Sequence, residues 1–295
     1  MPRARPLQPD RWIEVIAPAS SFDRENFDVS VHVLQEQGLR LRFRDDVFSR
    51  ERFLAGSDER RLAELLAALD APDSDVLWCV RGGYGATRLL NDLPLSRIRN
   101  AGKLLIGFSD ITALHARWLA AGVPSIHGNM VARFAREPAD VAARLLGMLS
   151  PGALAPSLTG TPLRSGVVTG IVAGGNLALL AALCGTPFQP DFTGAIVLLE
   201  DIGERSFRLD RMFIQCEQAG LFRGIAGLAC GEFLDCGEKD SPVAQLLAEH
   251  AGRIGVPAVA ELPFGHGAVN NAIPMGVLAK LDATAGRIEF LEPLT

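Results

Sequence analysis

Two nearly continuous apolar runs, residues 75–80 and 103–108, each lead through a tight turn into a stretch with helical spacing, and this limits the fold more than any other feature of the chain. Strands that are apolar on both faces belong inside a parallel sheet covered by helices on its two sides. The first run passes through Arg81-Gly82-Gly83-Tyr84-Gly85 into a helical segment at 86–90. The second passes through Gly107-Phe108-Ser109-Asp110-Ile111-Thr112 into helical spacing over 111–121. Before them the pattern predicts a strand at 12–17, a helix at 22–37 closed by Gly38, a strand at 39–43 and a helix from an N-capping Ser57 to residue 69. After them come a strand at 123–127 and a helix at 139–149. Such alternation gathers the loops at the strand carboxyl ends along one edge, where ligands bind. That edge should unite residues 81–85, Ser109 and His127.

The 295 residues suffice for one large or two ordinary domains. Between 150 and 165 three prolines, several Gly and Thr and the loss of periodicity predict a linker. The expected division is thus an N-terminal domain at 1–150, a linker at 151–165 and a C-terminal domain at 166–295. The last is richer in strands (166–173, 195–200, 225–230, 256–262, 277–282, 287–291), with helices at 176–183, 207–219 and 242–254, the third capped by Ser241 with Pro242 at its first position. The fold class is α/β.

Apolar residues at 48% and charged residues at 21% indicate a globular protein with a substantial core. A net charge of -5 and scattered basic residues give no reason to expect nucleic acid or an anionic membrane as partner. Asp10, Arg11 and Glu14 interrupt the N-terminal stretch before it reaches signal-peptide length, and no segment approaches the roughly 20 apolar residues of a membrane span. A cytoplasmic protein is expected. Five scattered cysteines without a Cys-x-x-Cys pair argue against a disulfide framework and a zinc site, so no metal and no cofactor is predicted.

Ser109, at a strand-to-helix turn, is either a helix cap or a nucleophile whose oxygen stands above the strand end. A serine nucleophile needs a base, usually a histidine oriented by a carboxylate. His32 and His250 fall inside predicted helices, and His115 should point away from the hydroxyl. His127, at a strand end, and His266, between Gly265 and Gly267 on flexible flanks, are equal candidates on spacing. Glu200, first of three acids to leave the strand at 195–200, is the candidate orienter; its alternative is a cap or an ion pair with Arg205 or Arg208. Amides of Asp110 and Gly83 are candidate oxyanion donors, although the glycines could serve only a tight turn. Neither a Walker loop nor a dinucleotide fingerprint is present, so phosphate binding is not indicated.

Taken together, Ala17-Pro18-Ala19-Ser20, Arg81-Gly82-Gly83-Tyr84-Gly85, Gly107-Phe108-Ser109-Asp110-Ile111-Thr112, His127-Gly128, Gly174-Gly175-Asn176-Leu177, Leu199-Glu200-Asp201-Ile202 and Pro263-Phe264-Gly265-His266-Gly267 resemble, in order, the LD-carboxypeptidases (muramoyltetrapeptide carboxypeptidases). The resemblance implies a flavodoxin-like or Rossmann-like N-terminal domain, a swivelling strand-rich C-terminal domain and a Ser-Glu-His triad mapping onto Ser109, Glu200 and His266. It further implies a metal-independent cytoplasmic homodimer that removes D-Ala from L-Ala-D-Glu-meso-diaminopimelate-D-Ala in cell-wall recycling. Arg81, Tyr84 and His127 are candidates for substrate contact, Arg81 for a carboxylate. The chain departs from typical members at Ser206-Phe207, where they carry Pro-Tyr, and at Asn129, where they carry proline. The microcin C immunity peptidases are a related branch, but they tend to be longer, and only about 65 residues separate Glu200 from His266 here. A binding protein that closes on a ligand without chemistry is the alternative of another class. A lipase-like esterase is disfavoured because Ile111 stands where its motif has a second glycine.

Overall fold

A computed structural model describes residues 4–8, 10–240 and 242–295. In chain order the first half forms β1 (Trp12–Ile16), α1 (Arg24–Glu36), β2 (Arg40–Arg42), α2 (Asp58–Asp70), β3 (Ser74–Cys79), α3 (Leu95–Ala101), β4 (Leu104–Gly107), α4 (Thr112–Ala121), β5 (Ser125–His127) and α5 (Ala139–Gly147). The second half adds β6 (Leu158–Thr159), β7 (Thr161–Arg164), β8 (Val167–Asn176), α6 (Leu177–Leu183), β9 (Ala195–Ile202), α7 (Ser206–Gln218), β10 (Gly227–Leu234), α8 (Val243–Ile254), β11 (Ala258–Ala260), β12 (Ile273–Met275), β13 (Leu278–Asp282) and β14 (Arg287–Phe290). The protein is mixed α/β, as the alternation predicts.

The first sheet runs β12-β5-β4-β3-β1-β2, parallel except for β12. Every residue of β3 is buried, and alternate side chains enter opposite cores. Val76 and Trp78 point to one side with Leu104 and Ile106; Leu77 and Cys79 point to the other with Leu105. That is the physical meaning of the unbroken apolar runs: each face needs its own set of helices. The second sheet runs β6-β14-β13-β8-β9-β10-β11-β7, with β8 to β11 parallel and antiparallel strands on both flanks. Its Val197 and Leu199 pack under α6, α7 and α8, whereas Ile196 and Leu198 join the same apolar cluster as Val76 and Trp78. One core therefore reaches from sheet to sheet.

Two features correct the expected division of the chain. The 151–165 stretch is not all linker, because β6 pairs with β14 and β7 with β11. These edge strands are too short for a periodic signal, and an edge tolerates Pro162. Conversely β12, unsigned in the sequence because Pro274 occupies its centre, leaves the C-terminal region and pairs with β5 on the edge of the first sheet. The α8 cap predicted at Ser241 lies outside the described residues; Pro242 stands at the cap position, one place before the helix. No helix among the described residues is long and apolar enough to cross a membrane.

Candidate active site

The chain leaves β4 through an extended Phe108 and reaches Ser109 with φ +63, a left-handed conformation that costs a residue with a Cβ about 1–2 kcal/mol. The turn fits because its neighbours are glycines. A Cβ on Gly107 would lie 2.9 Å from Ile111, and one on Gly82 would lie 3.2 Å from the Ser109 Cβ and 3.3 Å from the Asp110 amide. The Asp110 carboxylate is buried and accepts the Ala86 amide at 2.8 Å, which ties the Ser109 turn to the end of the glycine loop. Burial raises its pKa. Thr112 completes the motif from the other side: its hydroxyl accepts the Asn176 amide at 3.0 Å, and Gly175 is required because a Cβ there would meet that hydroxyl at 2.4 Å. Thus one hexapeptide shapes the turn and docks β8 beside it.

Parallel pairing of β8 and β9 sets Asn176 opposite Glu200. Glu200 is fully buried, and its Oε2 accepts the Nδ1 proton of His266 at 2.6 Å. Burial by itself raises the pKa of this carboxyl, but the two histidines beside it, His127 and His266, outweigh burial and hold it down to about 2. An ionised Glu200 fixes Nδ1 as the donor nitrogen, so Nε2 of His266 is free to accept from the Ser109 hydroxyl, 3.1 Å away. Ser109, His266 and Glu200 form one hydrogen-bonded line across the two halves of the chain.

Gly265 beside His266 serves by its left-handed conformation, φ +119, and by clearance against Glu200 rather than by the flexibility expected of it. A Cβ on Gly265 would stand 3.1 Å from the Glu200 Cβ, and one on Gly267 would overlap the Glu232 carboxylate at 1.5 Å. The loop itself is pinned. Gly265 donates to Asn270 Oδ1 at 3.0 Å, the amide and side chain of Asn271 both donate to Pro263 O at 3.0 Å, and Phe264 O accepts the Glu232 amide at 2.8 Å.

Ser109 and His266 open onto a cavity of about 690 Å³ whose floor includes Gly82 and Gly83. Gly83 has φ +96, and a Cβ there would come 2.5 Å from Ser20 Oγ, which in turn accepts the Tyr84 amide at 3.0 Å. This gives the Pro18-Ala19-Ser20 turn a purpose that the sequence did not show: it buttresses the glycine loop. Arg81 lines the cavity, exposed, and donates to Ser21 O at 2.9 Å.

The other two candidates for substrate contact stand elsewhere. Tyr84 lies outside the cavity wall, 46% exposed and packed edge-on against Phe53. His127 is wholly buried, closed off by Phe108 and Phe264, because β5 ends behind the Glu200 carboxylate rather than in front of it. His115 is structural: its ring nitrogens meet Ser125 Oγ and Gly107 O, both at 2.8 Å, and burial lowers its pKa to about 3. His250 is held by Glu217 and Asp210, and His32 lies exposed beside Glu36.

Arg133 and Arg136, on a short helical turn at Val131–Arg136, also line the cavity, with Arg136 donating to Asn26 Oδ1. Spacing alone singles out neither. Two arginines three residues apart just past a strand on the ligand edge were the available signal.

Comparison with known proteins agrees with this architecture. The N-terminal domain signature of the LD-carboxypeptidases matches residues 13–128, and the C-terminal domain signature of the same family matches residues 169–281. The murein tetrapeptide carboxypeptidase of Pseudomonas aeruginosa is 33% identical over 304 residues, covering 95% of this chain and 97% of that protein. The crystal structure of the muramoyltetrapeptide carboxypeptidase from Oxalobacter formigenes superimposes with a TM-score of 0.83 at 30% identity, covering 95% of this chain and 97% of that one. The microcin C7 self immunity protein MccF, solved with glutamyl sulfamoyl guanosine, shares the fold with a TM-score of 0.86 at 19% identity over 99% of both chains. The chain belongs to the LD-carboxypeptidase family.

Proposed function

We propose that this protein is a serine LD-carboxypeptidase that removes the terminal D-Ala from the murein tetrapeptide L-Ala-D-Glu-meso-diaminopimelate-D-Ala during cell-wall recycling, as a cytoplasmic homodimer. The observation that carries the reading is the line from Ser109 Oγ to His266 Nε2 at 3.1 Å and from His266 Nδ1 to Glu200 at 2.6 Å, at the floor of an open cavity. In this reading His266 takes the Ser109 proton as the hydroxyl oxygen attacks the carbonyl between diaminopimelate and D-Ala. Glu200, kept ionised, stabilises the imidazolium. Amides of Asp110 and Gly83 hold the oxyanion, each contributing on the order of 3 kcal/mol to the transition state. The imidazolium returns its proton to the D-Ala amine, which leaves; water, deprotonated by His266, then releases the acyl group. The cations Arg81, Arg133 and Arg136 on the cavity wall suit a peptide carrying several carboxylates.

Incubation of the purified protein with the tetrapeptide, followed by mass spectrometry for loss of one alanine, tests the proposal. Wild type should cleave and Ser109→Ala should not. Absence of cleavage by wild type, or equal cleavage by the variant, refutes it. Cleavage of an aminoacyl sulfamoyl adenylate instead would assign the protein to immunity-type chemistry, and ligand binding with no turnover to a binding protein.

A further inference from the structure

Behind Glu200 stands a second histidine. His127, the last residue of β5, places Nε2 4.0 Å from Glu200 Oε1, and both side chains are fully buried. The other carboxylate oxygen is taken by His266. Among the described residues Oε1 has no hydrogen-bond partner, and neither ring nitrogen of His127 has one. Buried polar atoms left unpaired are costly, so two such atoms facing one another represent a contact to be made.

The surroundings fix the ring in this orientation. Phe264 meets it edge-on at 5.5 Å between centroids, Phe108 tilts against it at 5.6 Å, and His115 stacks at 6.4 Å. Phe108 also contacts the His266 ring at 5.0 Å, so the two histidines share one aromatic wall. The titratable groups facing His127 are Glu200 from β9 and His115 from α4. The latter is neutral, with both nitrogens engaged. Glu200 is therefore the partner left to His127.

We propose that His127 is a positioning residue: its ring donates Nε2–H to Glu200 Oε1 and holds the carboxylate so that Oε2 stays aimed at His266. The inference rests on the Ser-Glu-His reading above. Glu200 would otherwise be anchored through one oxygen only and free to turn as His266 gains and loses charge. A second donor at its back keeps it ionised and aligned through the cycle, without touching substrate or Ser109.

The experiment compares two donor-free variants, His127→Phe and His127→Met, with His127→Gln, whose side-chain amide can restore the donor. Turnover of the tetrapeptide is measured beside a readout that needs no substrate, the rate at which a fluorophosphonate labels Ser109. The donor-free variants should lose about 100-fold in kcat and in labelling rate, since misaligned catalytic groups cost about that much, while KM stays within about twofold. His127→Gln should recover about tenfold or more of the loss. In a Glu200→Gln background His127→Phe should cost almost nothing further, because the residue acts through Glu200. Labelling of both donor-free variants at the wild-type rate would overturn the inference. So would losses that add to that of Glu200→Gln, or a Gln variant no better than Phe. A wild type that labels but does not cleave the tetrapeptide refutes only the substrate, leaving His127 to be judged on labelling; a wild type that does neither overturns the triad and this inference together.

Discussion

Ser109 holds its hydroxyl above the strand end only by accepting a left-handed backbone, φ +63. Under the proposed serine mechanism, function and stability oppose each other at this residue. Ser109→Ala and Ser109→Gly should both abolish turnover, by about 10⁴-fold or more, yet the Gly variant should be the more stable of the two by about 1 kcal/mol because only Ala retains the strained Cβ. Urea denaturation of the pair measures the difference directly. Gly83 poses the complementary case: any Cβ there strikes Ser20 Oγ at 2.5 Å. Gly83→Ala should shift the loop amide and lower kcat by about 10²–10³-fold, the cost of one oxyanion donor, with KM little changed. Steady-state kinetics on the tetrapeptide decide it.

At the scale of elements, the junction of β8, β9 and α6 holds two adjacent acids in opposite states. Glu200 faces the histidines and is held down to about 2, whereas burial, with the charge of Glu200 adding to it, raises Asp201 to about 6 despite hydrogen bonds from Asn176, Ala178 and Ile202. The signs differ accordingly. Glu200 contributes stability that is present above its unfolded pKa near 4.3 and lost as pH falls toward 2. For Asp201 the folded state binds the proton more tightly than the unfolded, so stability falls as pH rises from about 4 to 6. Denaturation at a series of pH values should show a steeper fall over that window in wild type than in Asp201→Asn, and parallel curves above it. The helical turn at Val131–Arg136, packed on α1 through the Ala135 amide and Ser30 Oγ at 3.1 Å, supplies the cationic wall. Replacing Arg133 and Arg136 together by Ala should raise KM for the tetrapeptide about tenfold and leave kcat in place, as expected for binding shared by ground and transition states.

Across the whole molecule, the two sheets are not independent bodies. β12 belongs to the first sheet although it follows the histidine loop, and a single apolar cluster includes residues of both sheets from Ile13 to Phe290. Thr112 and Asn176 add a buried hydrogen bond between α4 and β8. Calorimetry should therefore show one unfolding transition whose calorimetric and van't Hoff enthalpies agree. Two resolved transitions would mean that the shared core is weaker than its continuity implies.

The sequence by itself determined the alternation of strands and helices, because apolar runs such as 75–80 and 103–108 can be buried only between two layers of helices. It also marked the turn that carries Ser109, Glu200 at the end of its strand and His266 between two glycines. Choosing between His127 and His266 was beyond spacing, since a strand end on the ligand edge and a glycine-flanked loop from the other half are equally able to reach a base position. Tertiary structure separates them through depth: β5 stops behind the carboxylate, and the loop pinned by Asn270 and Asn271 passes in front of it. Short edge strands such as β7 and β12 were equally illegible, because three or four residues bearing a proline show no period, and their pairing comes from partners more than 90 residues away. What folding alone decided was distance: contacts of 3.1 and 2.6 Å arise from segments that share no local signal, and the glycines beside them permit the close approach.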